Sequence, residues 1–490
     1  MTSLENRSRL RGDWLNHRDP LLRPRLSDGE RAALREVMAL YSPYGLLRTF
    51  TTYFRPGPGL PMYVGHGQYL DLDHVLRRLL GLSGVETGIG SQIYGGGKGY
   101  DLFGMLASSV GESVERVLGA LAFLDLTDQV VHGTYRDLTA RGLTCVHPEQ
   151  MPIFAPEQLA TSPIYQPWTE DSPLGWIAGT RLRSGATVYV PAQLALLLYV
   201  RGPEEPLIGL APSGGLASHI NRTEALYHGI VELFERDGIN LRWYCGIPLD
   251  RIVLDRPARD RRLRRLLGHL DRSPDQVGFY YHNLDLEEFP VITAKAFTPW
   301  FTRYRYAAGC AVAPDIDTAL LSALTEFAQA ERSMKLSLLA PQWEFSHAFA
   351  RLFDIAEDAT SEQFVNYIQA IPYYGYAGNE AKLDAYLNGG REVPLSSLPT
   401  MDDRSLDARW DRLMGVLAAR GWDPIVFDLS PPQFRHTALV KVMIPELSPP
   451  YPQSAPGLGH PRYAHTAHES GHRPAPVPFT DLVRAPLPYP

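Results

Sequence analysis

Three stretches of this chain set a glutamate three residues ahead of another glutamate or a glutamine, each inside an otherwise apolar run. The first reads Ser108-Ser109-Val110-Gly111-Glu112-Ser113-Val114-Glu115-Arg116, and the second Gly229-Ile230-Val231-Glu232-Leu233-Phe234-Glu235-Arg236-Asp237. The third is Ala323-Leu324-Thr325-Glu326-Phe327-Ala328-Gln329. Residues three apart share one face of a helix, so Glu112 points with Glu115, and Glu232 with Glu235. Glu224 lies eleven residues before Glu235, close to three full turns, and joins that face. Like charges on one face repel, and the neighbours Val114, Ile230, Val231 and Phe234 imply partial burial, which raises the cost. A hard cation relieves it. Mg²⁺ prefers oxygen ligands and can bridge carboxylates to triphosphate oxygens, while Arg116 and Arg236 beside the pairs suit phosphate directly. Taken one at a time, each pair is more readily a solvated Glu–Arg helix face. Their repetition on apolar helices favours the metal and nucleotide reading.

The patterning around them predicts helices over Leu102–Leu124, Arg222–Asp237 and Ile316–Lys335. It predicts strands over Ala186–Val190, Gln193–Val200, Pro424–Asp428 and Ala438–Ile444. Without a strict strand–helix–strand rhythm the fold class is α/β (α+β) rather than an all-parallel sheet. Residues 1–40 are Arg-rich and polar, an arm or short helix with no core of its own; fold patterning starts after them, and 41–445 are expected to form the main domain. From Ile444 onward 12 of 47 residues are proline, which predicts an extended tail over 446–490 rather than core.

Two glycine-rich segments precede the carboxylate helices. Gly95-Gly96-Gly97-Lys98-Gly99 departs from the Walker pattern at Gln92 and Gly99, and Gly88-Ile89-Gly90 has Ile93 where a dinucleotide fingerprint needs its third glycine. A glycine-rich turn with Lys98 ahead of a helix still suits phosphate approach, and Pro212-Ser213-Gly214-Gly215-Leu216 leads into the second helix. His468-Glu469-Ser470-Gly471-His472 fits a zinc-hydrolase pattern, but Gly471 and the surrounding prolines argue against the continuous helix that chemistry requires. A net charge of −7 argues against non-specific nucleic-acid binding. No long uncharged apolar run predicts a membrane span, and the scattered cysteines Cys145, Cys245 and Cys310 predict a reducing cytoplasm.

As an ordered set, these segments make the chain resemble the YcaO-domain proteins, in particular the cyclodehydratases (D proteins) of azol(in)e-containing ribosomal peptide biosynthesis. The carrying residues are Gly97-Lys98-Gly99 with Gly111-Glu112-x-x-Glu115-Arg116, then Ser213-x-Gly215 with Glu224-Ala225 and Glu232-x-x-Glu235-Arg236-Asp237. Gly309-Cys310-Ala311 follows with Ala319-Leu320, Ala323-Leu324, Glu326 and Gln329, then Asp428-Leu429-Ser430 and Val442-Met443-Ile444-Pro445. The chain closes on Pro486-Leu487-Pro488-Tyr489-Pro490, similar to the Pro-x-Pro-x-Pro terminus of azoline-forming members. It departs from the family in having Asp428-Leu429-Ser430 for Asp-Leu-Thr and Glu446 for the glycine after Pro445.

The resemblance implies a YcaO-type fold with Mg²⁺-bound ATP between the glutamate-bearing helices. Glu112, Glu115, Glu224, Glu232 and Glu235 would ligate Mg²⁺ or ATP. Lys98, Arg116, Arg236, Ser218, Asn221, Glu326 and Gln329 would contact the nucleotide. It also implies a proline run threading toward the chemistry, with Arg236 and the Pro490 carboxylate as catalytic groups, and ATP-dependent closure of Cys, Ser or Thr into thiazoline or oxazoline rings on a precursor peptide. Thioamide or amidine formation, or a non-catalytic peptide-binding scaffold, are the alternatives. With about forty residues ahead of the domain, leader recognition is expected from a separate E1-like partner. The resemblance also implies a flavin-dependent dehydrogenase as a later partner, and a homodimer is compatible with the sequence.

Overall fold

The computed structural model describes residues 27–42, 47–53, 60–69, 96–100, 102–271, 276–299, 301–339, 353–364, 366–450 and 456–489. Three sheets organise them. The first is a three-stranded antiparallel ribbon of β1 (Leu47–Tyr53), β2 (Tyr63–Tyr69) and β3 (Gly96–Gly99). The second has six strands: β4 (Val131–Gly133), β5 (Leu174–Arg181), β13 (Ile425–Asp428), β14 (Ala438–Met443) and β7 (Leu216–His219) in that order, with β6 (Thr187–Pro191) beside β5. The third runs β11 (Tyr306–Val312), β10 (Val291–Phe297), β9 (Gly278–Tyr281), β8 (Asp250–Val253) and β12 (Glu392–Pro394). Pairing is antiparallel except between β12 and β8, in keeping with the mixed class predicted.

The three glutamate helices lie where the sheets meet. Helix α2 (Leu102–Leu126) packs on β3 and β2 and against β7; α3 (Arg222–Tyr244) lies between β14 and β7 on one side and β11 and β10 on the other; α5 (Ile316–Leu339) covers β11 and β10 and reaches β3. Asn221 caps α3 by accepting from the Thr223 and Glu224 amides, and Gly246 at φ 60° lets the chain leave its far end. Ile230 and Phe234 are buried on α3 with Phe289, while Leu320, Leu324 and Phe327 carry the core face of α5. The predicted helices are all present and each runs longer, α2 by two residues, α3 by seven and α5 by four, because the apolar pattern continues past the glutamates.

Elsewhere the expectations need correction. Gln193–Val200, read as a strand, forms none: its first three residues belong to a short buried helix, Ala192–Ala195, that begins where Pro191 ends β6. A short run apolar on every side fits either element. Helix α1 (Asp28–Met38) carries a Ser27–Glu30 capping box, and its buried Ala33 and Val37 give the 27–40 segment a share of the core; residues 1–26 lie outside those described.

The proline-rich tail is the largest correction. It contains a helix, here α7 (Arg462–Glu469), with α4 (Arg261–Leu270) and α6 (Leu406–Ala419) completing the longer helices, and it buries Leu458, Tyr463, Ala467, Val477, Leu482 and Tyr489 in the core. Arg462 anchors it to α3. Its guanidinium donates to both oxygens of Asp237 (2.9 and 2.6 Å) and both of Asp285 (3.0 and 2.9 Å). α7 stops at Glu469, and Gly471 at φ 75° turns the chain, so His468 and His472 do not share a helical face. Among the described residues no helix is long and apolar enough to cross a membrane.

Candidate functional site

A cleft of about 1100 Å³ opens between α2, α3 and α5, lined by Glu112, Glu115, Arg116, Glu232, Glu235, Arg236, Glu326 and Gln329. β3 places Lys98 on its wall, and β7 places Ser218. The glycines of 96–99 form a strand rather than the expected turn, and the reason is close packing. A Cβ on Gly97 would stand 2.1 Å from the Ser109 amide nitrogen of α2, and one on Gly96 2.4 Å from the His66 ring. Gly88–Gly90 and Gly95 lie outside the described residues.

Each glutamate is held differently. Lys98 Nζ donates to Glu326 Oε1 at 2.6 Å, and the Cys310 amide donates to Glu326 Oε2 at 3.1 Å. The Ser218 amide lies 3.3 Å from Glu115 Oε2, and the Ser218 hydroxyl donates to the Gly111 carbonyl. Gly215, at φ 81°, turns its N–H onto Glu232 Oε2 at 2.9 Å. Glu224 stands to one side. Its Oε1 accepts from Arg409 at 2.8 Å, its Oε2 lies 3.5 Å from His228 Nε2, and it does not line the cleft. Asn221 spends its side chain on the helix cap and is likewise absent from the lining. Burial pulls His228 down to about 4, against the pull of Glu224.

The electrostatics show what the cleft lacks. Burial pushes Glu115 and Glu235 up to about 8 despite the neighbouring arginines, with Glu232 adding to both. Glu112 is raised for the same first reason, opposed by Arg116 and Lys98. Burial works against the charge on Arg116 and Arg236 too, but the adjacent glutamates outweigh it and hold both guanidiniums charged. Arg116 Nε is buried without a hydrogen-bond partner. Carboxylates held partly protonated for want of a countercharge, with an orphaned guanidinium donor beside them, fit a magnesium ion and phosphate oxygens. The donors are all oxygen, the set a hard cation takes. Among the described residues no three such ligands converge into a cage.

A pH dependence follows. The raised carboxylates bind protons in the folded chain between about pH 4.5 and 8, where the unfolded chain has released them, so metal-free stability should fall as pH rises through that window. Mg²⁺ with nucleotide should cancel the loss and release protons. Melting at pH 6 and 8.5 with and without Mg²⁺–ATP, and calorimetry at pH 7 in buffers of different ionisation enthalpy, check both. A metal-free melting temperature that rises between pH 6 and 8.5 would contradict the assignment.

The chain's end approaches from the core. Trp243 Nε1, Tyr374 Oη and Tyr306 Oη donate to the carbonyls of Ala485, Pro486 and Pro488 at 2.9, 2.8 and 3.0 Å. Tyr489 is buried with its ring 5.4 Å from that of His282, close enough to the Cys310 thiol to interact electrostatically; Cys310 lines the cleft. Pro490 lies outside the described residues. Three contributors escape the sequence patterns. Tyr367 lines the cleft and acts on both Arg116 and Arg236, Arg409 neutralises Glu224, and Lys441 lies buried behind Glu232. Only Lys441 leaves a local trace, as a lone charge within Leu439–Met443.

Residues 96–448 match the family described as YcaO cyclodehydratase, ATP- and Mg²⁺-binding. In fold the chain is similar to a heterocyclase in complex with substrate and cofactor (TM-score 0.71, 18% identity, 94% of this chain and 57% of that one). It is also similar to YcaO from Methanopyrus kandleri bound with AMPPCP and Mg²⁺ (TM-score 0.56, 18% identity, 90% of each chain). Over 141 residues it is 31% identical to an uncharacterized protein in the tfuA 3′ region of Rhizobium leguminosarum bv. trifolii, covering 29% of this chain and 30% of that protein. The chain therefore spans little more than half of the heterocyclase and under a third of the curated relative.

Proposed function

Because this chain belongs to the YcaO cyclodehydratase family, which binds ATP and Mg²⁺, we propose that it uses ATP to close Cys, Ser or Thr residues of a ribosomally made precursor peptide into thiazoline or oxazoline rings. The observation that carries the ATP-using half is the uncompensated carboxylate set of Glu112, Glu115, Glu232 and Glu235 around one cleft, with Arg116 and Arg236 between them. The azoline half draws support from the terminal prolines and from the burial of Pro486, Pro488 and Tyr489, the last beside Cys310 of the cleft.

An amide is a poor electrophile with a poor oxygen leaving group. In the proposed reaction the substrate thiol or hydroxyl adds to the preceding carbonyl carbon, forming the S–C or O–C bond as the carbonyl π bond opens onto oxygen. That oxygen takes the γ-phosphoryl group, releasing ADP. Loss of phosphate and of the amide N–H proton leaves the C=N of the azoline, one water fewer than the peptide. Mg²⁺ supplies charge neutralisation along the phosphates. Of the chain's own groups, Glu112, Glu115, Glu232 and Glu235 would hold the metal, and Arg236, Arg116 and Lys98 would meet the phosphates. The Pro490 carboxylate is proposed to remove the nucleophile's proton. No enzyme nucleophile is required.

Incubating the chain with ATP, Mg²⁺, a Cys/Ser/Thr-containing precursor and its leader-binding partner should lower the precursor's mass by one water per ring. Mass spectrometry reads this directly. ATP consumed with precursor mass unchanged would remove the azoline half and leave the ATP-using half standing.

A further inference from the structure

Lys441 sits at the centre of β14, 1% exposed, with hydrophobic neighbours on the same strand. A lysine this deep loses its hydration, and burial, against the pull of Glu232, brings it down to about 7. Its retention therefore calls for compensation. Nζ donates to the Pro212 carbonyl at 2.6 Å and to the Gly214 carbonyl at 2.5 Å, the two acceptors exposed by the turn that precedes β7. That turn is closed by the Leu216 amide on the Ser213 carbonyl (2.9 Å) and joined to β14 by the Val442 amide on the Gly215 carbonyl (2.7 Å). Gly215 adopts φ 81°, and a Cβ there would come within 2.3 Å of the Val442 carbonyl oxygen, so the turn is pressed against the strand that carries the lysine. The outcome of this arrangement is one directed donor, the Gly215 N–H, 2.9 Å from Glu232 Oε2.

We propose that Lys441 is a positioning residue for the metal site. By gripping both carbonyls of the 212–214 turn it fixes the Gly215 amide, and the amide fixes the Glu232 carboxylate in the orientation that accepts Mg²⁺. The ammonium is also the buried cation on the side of Glu232 away from the cleft, close enough to interact with Glu232, Glu115 and Arg116. Two of its three protons are committed to carbonyls, so it orients through the backbone and leaves the carboxylate oxygens for the metal. The small cavity on its other side carries no further charged side chain: its lining is apolar, Met151, Ile153 and Leu194 among it, apart from Ser448 and His460. This inference rests on the Mg²⁺–ATP reading of the cleft.

The test compares K441M, which keeps the stem and removes the donors, with K441R, whose planar fork cannot meet both carbonyls from the same place. In the metal-free chain, hydrogen exchange of the Gly215 amide should accelerate at least about tenfold in K441M, since the turn loses its grip. The Mg²⁺ concentration giving half-saturation of AMPPCP binding should rise about tenfold in K441M and about threefold in K441R, a scale in line with loss of a partner that orients a metal ligand. Each variant that folds is then combined with E232Q, where the lysine's effect on the Mg²⁺ midpoint should vanish. An effect of equal size with and without Glu232, or unchanged Gly215 exchange and an unchanged midpoint in the folded variant, overturns the proposal. A wild-type chain that fails to bind Mg²⁺–AMPPCP would instead overturn the reading of the cleft itself.

Discussion

Replacing Glu232 with Ala should reduce Mg²⁺-dependent ATP hydrolysis at least about a thousandfold, the scale on which charge-neutralising groups act in phosphoryl transfer. Three observations single out this glutamate. It lies midway along α3 and lines the cleft. It contributes to the repulsion that raises both Glu115 and Glu235. Its carboxylate is oriented by a backbone donor rather than neutralised by a side chain. Loss of folding would be the trivial explanation of a dead variant, and here the physical chemistry opposes it. Removing one of several mutually repelling carboxylates relieves the metal-free chain, while orphaning the Gly215 amide costs about 1–3 kcal/mol. The two effects oppose, so the metal-free melting temperature should stay within a few degrees of wild type. Phosphate release assays with a thermal melt of the same preparation decide the matter. Activity above a tenth of wild type would remove Glu232 from the metal site.

How far the sequence carries this site depends on whether a residue's role is set by its neighbours in the chain. Glu112 with Glu115, and Glu232 with Glu235, were legible because helical spacing is local and because burial of the flanking residues follows from their own apolarity. The partners were not. Lys98 meets Glu326 across 228 residues, and Arg409 meets Glu224 across 185, which no periodicity encodes. The same limit explains Asn221, whose place just ahead of α3 suits a cap as well as a ligand contact. The tail shows a different failure. Proline content correctly argues against regular structure at 486–489, yet extended structure need not be exposed. Proline lacks a donor and has little backbone freedom to lose, so burying such a run leaves fewer donors to satisfy, and Trp243, Tyr374 and Tyr306 donate to the carbonyls of Ala485, Pro486 and Pro488. Composition spoke to conformation and was silent on burial.

That burial determines how the terminal carboxylate must be tested. Deleting the last five residues removes Tyr489, 1% exposed, and orphans the Tyr374 and Tyr306 hydroxyls. The cavity alone costs about 3–5 kcal/mol and each orphaned donor about 1–3 kcal/mol, so an inactive product would report damage as readily as chemistry. Deleting Pro490 alone keeps Tyr489 against His282 and within 3.3 Å of the Tyr386 hydroxyl, and withdraws the carboxylate by one residue. Ring formation should then fall at least about a hundredfold, the lower range of general acid–base contributions. AMPPCP affinity and melting temperature should stay at wild-type values, since the glutamates and the tail's hydrogen bonds are untouched. A chain ending in Pro490 amide, made by ligation, keeps every atom of the backbone path and removes only the charge, so it should show the same loss. Wild-type ring formation by the amide would exclude the terminus as base while leaving Glu112, Glu115, Glu232 and Glu235 in their role, because the two halves of the proposal depend on different groups.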